Sequence, residues 1–151
     1  MASIQSSEGF LANNKITAYD HDPADSTVAT DVAWVDMQDY EEFTVMCFSS
    51  ALTGTGPVAF KILANSSSTG SGTDAEIKVH ALGTAADAVG DYIFLSCTAE
   101  EIKAAESTAT GRLRYVSANL DMNNAADEAV VVYIRSKPRY AQSGLTADTI
   151  A

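Results

Sequence analysis

Apolar and polar positions alternate along most of this chain with a period of two, the spacing that sends successive side chains to opposite faces of a β-strand. Val28, Val32 and Trp34 sit at even spacing and predict one strand face. Phe43-Thr44-Val45-Met46-Cys47-Phe48 reads as a strand apolar on both sides, and Val58, Phe60 and Ile62 alternate with Ala59, Lys61 and Leu63. Ile77, Val79 and Ala81 alternate with Glu76, Lys78 and His80 as a half-buried strand should, whereas Tyr92-Ile93-Phe94-Leu95 predicts a fully buried one. Leu113 to Leu120 and Ala129 to Ile134 complete the series.

Turn-forming residues separate these runs. Asp36 to Glu42 predicts an acidic corner, Ser49 to Pro57 a turn made permissive by Gly54 and Gly56, and Asn65 to Thr73 an exposed, flexible loop of serine, glycine and threonine. Helical periodicity surfaces once. Thr98-Ala99-Glu100-Glu101 has the form of a capping box, with the hydroxyl at N-cap and Glu101 at N3, and predicts a short helix from Ala99 to Glu106. About seven or eight short strands, frequent turns and one small helix predict an all-β fold, a β-sandwich or jelly roll.

Residues 1–26 are polar with isolated large side chains, Phe10, Leu11, Ile16 and Tyr19. A disordered leader and an extended arm both fit; the spaced apolar anchors favour an N-terminal arm that docks on a neighbour. The sandwich domain is expected over 27–140, closing with Ser136 to Tyr140, and a C-terminal tail over 141–151. Phe10, Leu11, Ile16, Tyr19 and Tyr140 are the candidate contact residues.

The 151 residues suffice for one domain with a sizeable core. Net charge is −11, from 20 acidic and 9 basic residues, and no run of Lys and Arg offers a footprint for phosphates, so no nucleic-acid partner is expected. Without an apolar stretch near the ~20 residues that span a bilayer, no membrane partner is expected either. The N-terminus has neither the basic start nor the apolar core of a signal peptide, which predicts a chain made and kept in a cytoplasm. Cys47 and Cys97 both end apolar runs; two reduced core thiols are the simpler reading, and a bridge between neighbouring strands is the alternative.

No catalytic constellation emerges. His80 falls on the polar side of its strand, and no Gly-x-Ser-x-Gly elbow occurs. Asp20, Asp22 and Asp31 fit positions 1, 3 and 12 of a calcium loop, but Asp25 stands where that loop needs glycine. Asp36, Asp39, Glu41 and Glu42 read as a solvated corner and not as paired glycosidase carboxylates. No cofactor, no metal and no enzymatic activity are expected.

From about Asp31 to Tyr140 the chain resembles small structural proteins of tailed bacteriophages. The resemblance rests on the strand ending in Trp34, the Asp36-to-Tyr40 corner and Phe43-Thr44-Val45-Met46. It also rests on the Thr98-to-Glu101 turn before Tyr115-Val116, and on the final strand Val130 to Ile134 followed by Arg139-Tyr140. It implies a capsid decoration (cement) protein of jelly-roll or sandwich type, bound to the major capsid protein on the outside of the head and trimeric at three-fold positions. No catalytic residue comes with the family, and the serine-glycine loop and the two cysteines depart from its pattern. Another virion part, such as a head-fibre base or tail component, is the nearest alternative. A carbohydrate-binding sandwich is the alternative from a different class and requires aromatics lining an exposed face.

Overall fold

A computed structural model describes residues 14–21, 30–51, 59–81, 89–122 and 126–139. Phe10, Leu11, Tyr140 and the expected tail at 141–151 lie outside them. The described strands are β1 (Asn14–His21), β2 (Thr30–Asp31), β3 (Val35–Asp36), β4 (Tyr40–Ala51), β5 (Ala59–Asn65), β6 (Ala75–Ala81), β7 (Tyr92–Thr98), β8 (Tyr115–Asp121) and β9 (Glu128–Pro138). They form two antiparallel sheets. The first has the order β1-β9-β4-β7; in the second β8 lies between β5 and the pair of short strands β2 and β3, with β6 outside β5. Together the described residues make an all-β sandwich with one short helix.

Alternation builds the core. Phe43, Val45 and Cys47 of β4 and Val131 and Tyr133 of β9 point inward from the first sheet, and Phe60, Ile62, Val116, Ala118 and Leu120 meet them from the second. All are at most 1 % exposed. The helix α1 (Ala99–Ala104) starts where β7 ends. Thr98 Oγ1 accepts from Glu101 N at 3.2 Å while the Glu101 carboxylate accepts from Thr98 N at 2.9 Å, the reciprocal capping box read from the sequence.

The strand expected along Val32 and Trp34 is interrupted. β2 and β3 each pair with β8 for only two residues; between them Val32 N still donates to Ala118 O at 2.9 Å, and the chain then leaves the ladder. Tyr133 fills the gap from the opposite sheet. Its hydroxyl accepts from Ala118 N at 2.7 Å and Ala33 N at 3.3 Å and donates to Ala33 O at 3.0 Å, replacing ladder bonds and tying the two layers together. Phe43 and Tyr19 pack edge-on against its ring, with centroids 5.0 and 4.9 Å away.

Part of the expected arm lies in this framework. Asn14–His21 pairs with β9 along its whole length, from Asn14 opposite Ser136 to His21 opposite Ala129. The period-two spacing of Ile16, Ala18 and the oppositely directed Tyr19 suits an edge strand of the chain's own sheet.

The serine-glycine loop is closed by hydrogen bonds. Asn65, fully buried, donates from Nδ2 to Asp74 at 2.6 Å and accepts from Ser67 N at 2.7 Å, and the Ser67, Thr69 and Ser71 hydroxyls bond one another. Its tip carries Gly70 at φ +68°, with the Trp34 indole so close that a Cβ there would lie 2.3 Å from Nε1. Gly70→Ala should therefore combine left-handed strain with displacement of Trp34 and cost about 2–4 kcal/mol. Urea unfolding of the variant, with indole fluorescence reporting the move of the single tryptophan, measures both.

Cys47 and Cys97 are free and buried. The β4–β7 register sets Cys47 opposite Ile93 and Cys97 opposite Phe43, four residues along the strands from each other. That separation, roughly 14 Å, is twice what a disulfide spans. Burial pushes both thiols up to about 12, so neither is a nucleophile at neutral pH.

Candidate functional site

An antiparallel sheet normally turns one face to the core and a polar face to water. The first sheet does not. Opposite neighbours across its outer face form three rows: Ile16–Ile134–Thr44–Ser96, then Ala18–Val132–Met46–Phe94, then Asp20–Val130–Phe48–Tyr92. Nine of these twelve positions are apolar, and the one charged residue, Asp20, stands at the β1 end of the third row. The shared orientation is visible in side-chain contacts: Thr44 Oγ1 and Ser96 Oγ lie 2.9 Å apart, and the Phe48 and Tyr92 rings 6.0 Å.

Tyr92 and Phe94 are each 61 % exposed, and Met46, Phe48, Val130, Val132 and Ile134 are half-buried. This corrects the expectation for Tyr92-Ile93-Phe94-Leu95. β7 is an edge strand, only Ile93 and Cys97 are buried, and the alternate aromatics face outward. From strand and residue spacings the rows cover roughly 400 Å² in plan. That is the size of the largest apolar patch on an ordinary soluble monomer, which is often where a partner docks.

A polar border closes the face at one end. Glu42, Ser136 and Thr98 occupy the next row, with Lys137 paired to Glu42. On the inner side of β9, between Ile134 and Ser136, Arg135 donates from Nη1 to Asp36 O at 2.8 Å and lies over the Tyr40 ring at 5.0 Å; burial pulls it below its ordinary value. Arg114 grips Asp36 through both guanidinium edges, Nε to Oδ1 at 2.9 Å and Nη2 to Oδ2. That clamp holds the Asp36 carboxyl below its ordinary value of 3.8.

Asp36 therefore binds its proton more weakly in the folded chain than in the unfolded one. Its stabilisation is complete above pH 3.8 and is lost as pH falls through the lower folded value. The urea midpoint of the native chain should fall between pH 5 and pH 3, and that of Asp36→Asn should fall less.

Of the sequence-predicted contact residues, Ile16 lies in the apolar face, opposite Ile134. Tyr19 is on the inner side of the same strand, against Tyr133. The structure thus separates these two, and Phe10, Leu11 and Tyr140 lie outside the described residues. The residues that make the face, Met46, Phe48, Tyr92, Phe94, Val130 and Val132, were not singled out. Their signal lies in runs apolar on both sides within a two-layer fold, where among the described residues no layer covers the outer side.

A basic cluster was also missed. The chain has no run of Lys and Arg, yet the fold gathers Lys103, Arg112, Arg114 and Arg139 around one cleft. Among the described residues, no group of three His, Cys, Asp or Glu side chains is placed to hold a metal.

No family model and no curated protein matches this chain. Among solved structures it is similar to the PRD1 vertex protein P5, at TM-score 0.47 and 10% identity over 83% of this chain and 98% of that one. A carbohydrate-binding module of endoglucanase Cel5A from Eubacterium cellulosolvens gives TM-score 0.40 and 14% identity over 82% and 98% of the two chains. The cowpea mosaic virus top component gives 0.40 and 11% over 87% and 79%. Likenesses at this level carry no argument about what the chain binds.

Proposed function

We propose that this protein is a virion structural protein that docks on the outer surface of a bacteriophage head and stabilises the shell by bridging capsomers. The observation that carries the reading is the largely apolar outer face of the β1-β9-β4-β7 sheet, where Asp20 at the β1 edge is the one charged position in its three rows. It supplies an interface in place of an active site, and the resemblance to phage decoration proteins names the partner, the major capsid protein.

Size and charge favour a shell over a free pair of copies. A stable pairwise interface buries about 800 Å² per partner, roughly twice what these rows offer. Each copy also brings a net charge of −11 to any self-association. A lattice that presents contacts on two capsomers at once gains from effective concentration what one small face lacks. A trimer on the three-fold positions fits this reading.

The test is addition of purified protein to expanded empty heads that lack it, with bound copies counted after sedimentation. Saturable addition and raised thermal resistance of the heads are expected. Heads that take up no protein would overturn the proposal.

A second reading has one observation in its favour. Tyr92, Phe94 and Phe48 form an exposed aromatic group on a sheet face, as a carbohydrate-binding sandwich requires. Sugar recognition also needs hydrogen-bonding groups beside the rings; the Thr44 and Ser96 hydroxyls stand in the row next to Phe94 but are bonded to each other, and the nearer neighbours are Met46, Val130 and Val132. A specific signal on a glycan array would favour this reading over the first.

A further inference from the structure

At the end of the sandwich where β4 begins and β7 and β9 finish, a cleft of about 890 Å³ opens between α1, the turn after β3 and the segment before β8. Its floor is apolar: Met37, Ile102 and Leu113 are 4 %, 3 % and 6 % exposed. Its walls hold four of the chain's nine basic residues, Lys103, Arg112, Arg114 and Arg139, but only two of its twenty acidic ones, Glu100 and Glu106.

Glu106 is committed to the fold, its Oε1 accepting from Leu113 N at 3.1 Å, and Arg114 is committed to Asp36. Lys103, Arg112 and Arg139 enter no ion pair among the described residues. Set against the carboxylates of Glu100 and Glu106, these three cations leave the cleft one positive charge in excess around its apolar floor, in a molecule of net charge −11.

We propose that this cleft binds the carboxylates of a short acidic peptide segment, with an apolar side chain of the segment on the Met37–Ile102–Leu113 floor. Guanidinium groups meet carboxylates in a planar two-bond geometry, and two of the three cations outside any ion pair among the described residues are arginines. The surrounding negative field disfavours a long polyanion, whose charges would extend past the cleft, more than a segment short enough to stay within about a Debye length of it. Small polycarboxylates share the chemistry and are the other possible source. The polar row Glu42–Ser136–Thr98 separates the cleft from the apolar face, so head docking and carboxylate binding can fail independently.

Amide chemical shifts of the full chain, titrated at low salt, test this with four probes: a short Glu- and Leu-containing peptide, its Gln counterpart, citrate, and a short single-stranded oligonucleotide. The acidic peptide should shift resonances of Ile102, Lys103, Arg112 and Leu113, and the Gln counterpart should bind at least about tenfold more weakly. Arg112→Gln/Arg139→Gln, both at exposed positions, should lose a comparable factor with an unchanged urea midpoint. Binding of citrate alone would support the site and assign it to small anions. Equal binding of the Gln peptide, an undiminished response in the double variant, tighter binding of the oligonucleotide, or no shift with any probe would each overturn the proposal.

Discussion

Replacing Tyr133 by Phe should lower the free energy of unfolding by about 2–4 kcal/mol, although the ring and its apolar packing remain. Among the described residues, the phenol oxygen is the side-chain group that reaches the gap between β2 and β3. Without it the Ala118 N–H, fully buried on β8, is left without its partner at 2.7 Å, and the Ala33 N–H and C=O are left without theirs. Each buried group left unsatisfied costs about 1–3 kcal/mol, and half-buried Ala33 recovers part of its share from water.

A second signature distinguishes this from ordinary core damage. Burial pushes the Tyr133 phenol from 10.0 up to about 12. The folded chain thus holds that proton more tightly than the unfolded one, and the contribution is complete below pH 10 and lost as pH rises toward 12. Urea midpoints across that alkaline range should fall more steeply for the native chain than for Tyr133→Phe. Tyr92→Phe, which removes an exposed hydroxyl, serves as the control and should change nothing. A Tyr133→Phe effect below about 0.5 kcal/mol would mean that the hydroxyl does not tie the sheets.

The same residue shows why part of the fold was readable and part was not. β4 and the α1 capping box follow from neighbours in sequence: alternation in one case, a hydroxyl and a carboxylate three residues apart in the other. The break in the Val32–Trp34 strand depends on a side chain 100 residues away, and no local pattern records it. The cleft cations at 103, 112, 114 and 139 share no sequence window either; the ends of α1 and β9 and the approach to β8 bring them together. β7 was misread for another reason. A run such as Tyr92 to Leu95 says that both faces are apolar, but only the strand order says that, among the described residues, one of them has no covering layer.

That uncovered face makes the sharpest claim on function. Tyr92→Thr/Phe94→Thr removes its two most exposed aromatic rings while keeping residues that suit a strand. Stability should change by no more than about 1 kcal/mol, because both rings already sit in water and what the fold gives up is chiefly the packing of Tyr92 on Phe48. Docking should change far more. Exposed aromatic rings that serve as interface hot spots cost about 2 kcal/mol or more each when truncated, so removal of two predicts at least a hundredfold loss of affinity for empty heads. The Val130–Val132–Ile134 row, left intact, retains weak residual binding. Sedimentation of heads with graded amounts of native and variant protein measures the difference directly. Equal occupancy by the two would show that the head binds another surface. Reduced occupancy with an unchanged urea midpoint would locate the docking surface on the outer face of the first sheet.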